Sequence, residues 1–152
     1  MPKKIYRKAI FSVVYSISNK KIEYLLLKRK LHWKGWEFVK GKIENSETKI
    51  QAVKRETKEE TGLNFISIRD FKIHGRYKYK NKLKDRQGII GQTYHLFATQ
   101  VRKGKVKLDE KEHSGYIWLE YEKAIKKLTW RDQRKCLKIV NDWLLKENKK
   151  IK

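Results

Sequence analysis

Glu56, Glu59 and Glu60 stand at spacings i, i+3 and i+4, which in a helix puts three carboxylates on one face. Like charges at that spacing destabilise a helix, although Lys54, Arg55 and Lys58 can offset part of the cost. Hard divalent cations such as Mg²⁺ take oxygen ligands and keep several waters while bridging to phosphate. The three glutamates are therefore a candidate ligand set for such an ion, and an ordinary solvated charged face is the competing reading.

The surrounding residues decide between the two. Gly41, Glu47, Arg55, Glu56, Glu59, Glu60 and Gly62 fit the pattern G-x5-E-x7-R-E-U-x-E-E-x-G-U, with U an apolar residue. All seven fixed positions match, and at average residue usage chance would produce this on the order of once in 10⁸ start points. The pattern resembles the Nudix box. Thr57 occupies the first apolar position and Leu63 the second. Trp36-Glu37-Phe38-Val39-Lys40-Gly41-Lys42-Ile43-Glu44 is similar to the W-x-F-P-K-G-x-x-E segment of the asymmetric diadenosine tetraphosphate hydrolase branch. Val39 replaces the usual proline, and Asn45-Ser46 stands where Pro-Gly is common.

This resemblance implies an α+β (mixed α/β) fold, a Nudix-like sandwich with a mixed sheet, a central catalytic helix and a C-terminal helix. It also implies metal-dependent hydrolysis of a diphosphate linkage in a nucleotide substrate, with Mg²⁺ as cofactor and Mn²⁺ as a substitute. Such an ion neutralises phosphate charge and makes hydroxide available near neutral pH. Glu56, Glu59 and Glu60 become the implied metal set, joined by the backbone carbonyl of Lys40. Arg55 and Glu47 become orienting residues whose ion pair holds Glu56 in place. Glu112 opens the segment Glu112-His113-Ser114-Gly115-Tyr116-Ile117-Trp118, which resembles an E-H-x-x-x-x-W segment of related hydrolases. It is thus a further metal ligand or base candidate beside Glu56. His113 reads first as a structural histidine, and His32, His74 and His95 are weaker candidates still.

Arg76-Tyr77-Lys78-Tyr79-Lys80 alternates cations with aromatics, so on a strand both tyrosines face one side. Tyr77 or Tyr79 is the candidate stacking surface for a base, an interaction worth roughly 1 to 3 kcal/mol; a half-buried strand with a wet basic face is the plain alternative. Lys40 and Lys42, beside the proposed metal loop, are candidates for phosphate oxygens. Trp33 and Trp36 flank the same segment as lid or core residues.

The elements that must position these groups follow from apolar spacing. Tyr6 to Ile17 and Ile22 to Leu27 read as strands joined through Ser18-Asn19-Lys20. From about Glu47 to Thr61 the period becomes helical, with Ile50, Val53 and Thr57 on one stripe and Gly62 where a C-cap belongs. Phe65 to Ile68, Ile73 to Tyr79, Thr93 to Val101 and Gly115 to Leu119 read as strands around a charged loop at Asn81 to Gly91. Glu120 to Leu128 gives one or two helical turns. Thr129-Trp130-Arg131-Asp132 has capping-box spacing, and the final helix carries Leu137, Val140 and Leu144 on one stripe before fraying into Lys149-Lys150-Ile151-Lys152.

Composition sets the outer bounds. A length of 152 residues suits one domain spanning 1–152. Forty Lys and Arg against 17 Asp and Glu give a net charge of +23, which fits a polyanionic partner such as RNA as well as simple Lys enrichment. Cys136 is the single cysteine, so an intrachain disulfide or a cysteine-based zinc site is excluded and a reducing cytoplasm fits. The start Met1-Pro2-Lys3-Lys4-Ile5 lacks the apolar core of a signal peptide, and the apolar runs are too short for a membrane span. Three functions remain: hydrolysis of a dinucleoside tetraphosphate, removal of diphosphate from an RNA 5′ end, and a catalytically silent binding module. Retention of every box carboxylate argues against the last.

Overall fold

The computed structural model describes residues 5–81 and 83–150, without the side chains of 148–150. In the turn expected at Ser18-Asn19-Lys20, Asn19 and Lys20 take φ of 51° and 65°, the left-handed pair that matches the twist of a two-residue hairpin. Strands β1 (Ile5–Ser18) and β2 (Lys21–Arg29) therefore pair antiparallel, with Tyr15 opposite Tyr24. Two short strands follow, β3 (Gly35–Glu37) and β4 (Val39–Lys42). Sequence periodicity does not reveal them, because three or four residues are too few to show an alternation.

Helix α1 (Lys49–Thr61) begins two residues later than expected. Thr48 caps it through the backbone N–H of Gln51, and the Gln51 side chain returns the bond to the Thr48 N–H. Gly62, at φ 70°, closes the other end by donating to the Lys58 carbonyl. Ala52, Val53, Thr57, Glu60 and Thr61 form the buried face, whereas Ile50 is 37% exposed. The expected stripe is thus displaced by the first turn, where Ile50 lies outside the sheet contact. Thr57 turns its hydroxyl toward Ser12 at 3.3 Å, and Ser12 continues to Thr99 at 2.8 Å. This buried hydroxyl chain explains a threonine at an otherwise apolar position.

The two expected strands after the helix merge into β5 (Phe65–Lys78), with a register shift between Asp70 and His74 where Lys72 takes φ 55°. β6 (Ile89–Val101) returns antiparallel to β5 and lies parallel to β1, and β7 (His113–Leu119) pairs with β2. The sheet order is β3-β2-β1-β6-β5, with β4 on β1 and β7 on β2.

After α2 (Tyr121–Lys127), helix α3 (Arg131–Lys150) closes the other face of the sheet. Cys136, Leu137, Val140 and Leu144 pack on Phe11, Val13, Tyr15, Tyr94 and Leu96. Opposite them, Ala52 and Val53 of α1 pack on Ile10 and Phe97. Each such large apolar side chain contributes about 1.5 to 3 kcal/mol on burial. Burial raises the Cys136 thiol to about 12, in keeping with a core rather than a chemical role. The expected capping box at Thr129 does not form: the Thr129 hydroxyl accepts from the Trp36 N–H at 2.8 Å instead. The alternative bond ties the loop before α3 to β3. Among the described residues no helix is long and apolar enough to cross a membrane. Met1–Lys4 and the tail residues Ile151 and Lys152 lie outside the described residues.

Candidate active site

The segment β3–β4 crosses the buried face of α1, and its smallest residue marks the crossing. A Cβ at Gly41 would collide with the Glu56 carboxyl, so only glycine lets β4 run directly over that side chain. One residue earlier, the Lys40 backbone N–H donates to Glu60 Oε2 at 3.3 Å.

Arg55 organises the near side of the cluster. Its Nε and Nη2 donate to Glu47 Oε2 and Oε1 at 2.8 and 3.0 Å, a two-pronged pairing. Nη1 reaches Glu56 Oε1 at 2.6 Å and Glu59 Oε2 at 3.3 Å, and Nη2 also donates to the Lys42 carbonyl at 2.8 Å. One guanidinium thus ties helix, loop and strand together. The hydrogen bond from Arg55 holds the Glu47 carboxyl below its ordinary range. The Lys42 ammonium is exposed, and its residue enters the site through its carbonyl.

Burial raises Glu56 to about 7, with Arg55 opposing the shift and Glu59 and Glu112 adding to it. Glu60 is 1% exposed and lies well above the ordinary carboxyl range, first through burial and then through repulsion from Glu56, Glu37 and Glu112. Its Oε1 is buried without a hydrogen-bond partner among the described residues. A buried acceptor left unmatched among like charges costs free energy, and a divalent cation would supply what is missing. Oxygens of Glu60 and Glu112 and a ring nitrogen of His113 lie within 4.8 Å of one another, a group that could hold such an ion. The structure therefore brings Glu60 and Glu112 together. Glu56 borders them with Oε1 on Arg55, while Glu59 is largely exposed and also turned to Arg55.

Sequence reasoning missed a second buried cluster. Glu37, fully buried, accepts from His113 Nε2 at 2.7 Å and Arg29 Nη1 at 3.2 Å, and pairs with Lys40 Nζ at 3.1 Å. Burial alone would raise this carboxyl, but Lys40, His113 and Arg29 outweigh it and hold it at about 2. The signal was present in Trp36-Glu37-Phe38-Val39, where an acid interrupts an apolar run. Arg7 was missed too: its Nε is buried with no partner among the described residues. Burial and then the neighbouring Arg86 disfavour its charge, and Tyr79 and Glu56 favour it.

Tyr77 of β5 and Tyr79, one residue beyond its end, lie on one side, as the alternation predicts. Tyr77 lies against the Phe11 and Tyr94 rings at 6.5 Å, and its ring is 6.2 Å from that of Tyr79. The Tyr79 hydroxyl accepts from Arg86 Nη1 at 2.8 Å and meets Gln92 at 3.2 Å. Trp36 packs on the core, with Lys127 over its ring. Trp33 instead meets Trp130 edge-on at 5.1 Å and carries the Lys40 ammonium over its ring at 5.4 Å. His32 pairs with Asp85 in the loop after β5, and His74 and His95 face each other across the β5–β6 pair at 5.8 Å.

Sheet, helix and carboxylate cluster define a hydrolase of phosphorus-containing anhydrides, and the comparisons agree. The NUDIX domain family model matches residues 6–138, and the chain belongs to that family. It is 33% identical over 116 residues to an RNA pyrophosphohydrolase of a Nitratiruptor species, covering 74% of this chain and 75% of that protein. The structure is similar to a C. elegans Ap4A hydrolase binary complex, with TM-score 0.73, 26% identity, and 91% and 98% of the two chains covered. It also shares its fold with the E. coli dihydroneopterin triphosphate pyrophosphohydrolase, at TM-score 0.72 and 24% identity over 88% of this chain and 95% of that one. The protein is a Nudix hydrolase that cleaves diphosphate linkages.

Proposed function

We propose that this chain, as one Nudix domain over 1–152 acting in the cytoplasm, hydrolyses a dinucleoside tetraphosphate into two nucleotides by water attack on phosphorus. The observation that carries the reading is the placement of Lys40, whose backbone N–H holds Glu60 of the carboxylate cluster while its ammonium lies between Glu37 and the Trp33 ring. Glu56, Glu59, Glu60 and Glu112, with the Lys40 carbonyl, are the residues that would hold Mg²⁺, for which Mn²⁺ is the substitute. The bound ion would neutralise diphosphate charge and lower the pKa of water. Glu56, held by Arg55 beside the cluster, is the first candidate for the proton acceptor, and Glu112 is the second. Lys40, Lys42 and Arg7 would meet phosphate oxygens, and Tyr77 or Tyr79 an adenine.

Arg55 works in this reading as an orienting residue. Arg55→Lys keeps the charge but loses the fork that engages Glu47, Glu56 and the Lys42 carbonyl together. The expected result is a kcat lower by about 10- to 100-fold, as for other partners of metal-holding groups, with KM nearly unchanged. A change confined to KM would move Arg55 into the substrate-binding set.

A second reading, removal of diphosphate from an RNA 5′ end, is favoured by the curated relative at 33% identity and by the net charge of +23. Product analysis over capped RNA, 5′-triphosphorylated RNA and diadenosine tetraphosphate, with Mg²⁺ and with chelator, separates the two. Fastest turnover on the dinucleotide supports the first; cleavage of RNA alone replaces it with the second.

A further inference from the structure

We propose that Glu37 is a positioning residue for the cation site, acting through His113, Arg29 and Lys40 without touching substrate; the proposal rests on the hydrolase reading above. Each of its three partners comes from a different strand and each leads back to the cluster. Arg29 ends β2, and its guanidinium lies 3.2 Å from Glu37 and 3.7 Å from Glu112 Oε2. The same guanidinium is fixed from behind by a 2.8 Å bond from its Nε to the Leu31 carbonyl. His113 begins β7, takes Glu37 Oε2 at 2.7 Å, and belongs to the group with Glu60 and Glu112. Lys40, on β4, pairs its ammonium with Glu37 Oε1 while its backbone N–H holds Glu60.

Stability alone does not account for this arrangement. Taking a carboxylate fully out of water is costly, and a buried ion network is often no more stable than apolar side chains of similar volume. What the network does achieve is placement: one carboxylate fixes the side chains that border Glu60 and Glu112. It also offsets the charges of Arg29 and Lys40, both of which would repel a divalent cation arriving beside them. Removing that negative charge leaves two cations next to the site with less compensation. The divalent ion should then bind more weakly even though its own ligands are intact.

Glu37→Gln tests this, because the amide keeps the shape and loses the charge. Mn²⁺ binding, followed by the loss of the free-ion electron paramagnetic resonance signal, should weaken by about 10- to 100-fold, the usual effect of losing an outer partner of a metal-holding group. The kcat should fall with it and the KM for the nucleotide should stay within about threefold. Mn²⁺ affinity and kcat equal to wild type, with only a lower melting temperature, would overturn the proposal in favour of a purely structural network. If the variant does not fold, the wild-type protein provides the readout. The His113 imidazole N–H proton, held in a 2.7 Å bond to a carboxylate, should shift as Mg²⁺ is added, and an unmoved resonance at saturation overturns the proposal. Failure of the hydrolase reading is seen separately, as absence of cleavage by a wild-type protein that still binds Mn²⁺.

Discussion

Glu60→Gln should lower kcat by about 10³-fold in saturating Mg²⁺, corresponding to about 4 kcal/mol of lost transition-state stabilisation. Glu60 is buried, repelled by Glu56, Glu37 and Glu112, and has an oxygen with no hydrogen-bond partner among the described residues. The helix that carries it is already built by Thr48, Gly62 and the Ala52–Val53 face. Glutamine therefore removes charge from a formed site without removing a support of the fold. In chelator the variant should melt at the same temperature as wild type or higher, since the buried repulsion is relieved. Glu59→Gln should act in the same direction on the rate. Paired thermal melts and rate assays check both statements. Near-normal turnover of both variants would remove these residues from the proposed metal set.

The second large effect is a dependence of stability on pH that Mg²⁺ reverses. Glu56 rises from an ordinary value of 4.5 to about 7 in the fold, chiefly through burial. An acid with a raised folded pKa binds protons better when folded, so its contribution is full below about pH 4.5 and is lost as pH climbs through about 7. The loss is on the order of 3 kcal/mol, or about 6 to 12 °C in melting temperature for a chain of this size. Glu60 acts in the same direction. His95, lowered first by burial, acts against them, so the decisive quantity is the difference between wild type and Glu56→Gln. In chelator, the wild type should lose more stability than the variant between pH 5 and pH 8. Mg²⁺ should restore the wild type most at the higher pH, where it no longer competes with a proton. Parallel pH profiles for the two proteins would contradict the assignment. The carboxyl of Glu37, held at about 2, titrates below this window and does not confuse it.

The parts of the fold and site visible in the sequence are those whose chemistry is local. Asn19-Lys20 as a turn, Gly62 as a cap and the stripe of Leu137, Val140 and Leu144 each follow from neighbours within one or two turns of chain. The pairing of Arg55 with Glu47 was implied by the resemblance to the Nudix box, and the structure has it as a two-pronged bond. Other features depend on contacts between distant segments. Thr129 has a good capping pattern, yet the Trp36 backbone lies close enough to take its hydroxyl. Ile50 has the right spacing for the buried stripe, yet it is 37% exposed, and Ala52 is the first-turn residue that packs on the sheet. An acid within an apolar run marks Glu37 in the sequence, but its partners are known only once β2, β4 and β7 bring Arg29, Lys40 and His113 around it. Arg7 lies far in sequence from Tyr79 and Arg86, and only the pairing of β1 with β6 beside β5 brings them together.

The most direct test of the account is kcat/KM for diadenosine tetraphosphate and for 5′-triphosphorylated RNA, measured in Mg²⁺ across the range from about 50 to about 200 mM salt. A dinucleotide held by the cation site, Lys40 and a stacked adenine has few charges, so its kcat/KM should exceed that of RNA and fall only modestly with salt. An RNA strand crossing a basic surface makes many phosphate contacts, and six to ten of them cost about 10³- to 10⁵-fold in affinity over that range. Faster cleavage of the dinucleotide at every salt concentration is the predicted result. Preference for RNA that disappears as salt is added, with slow dinucleotide cleavage throughout, would contradict the proposed substrate and leave the diphosphate chemistry in place.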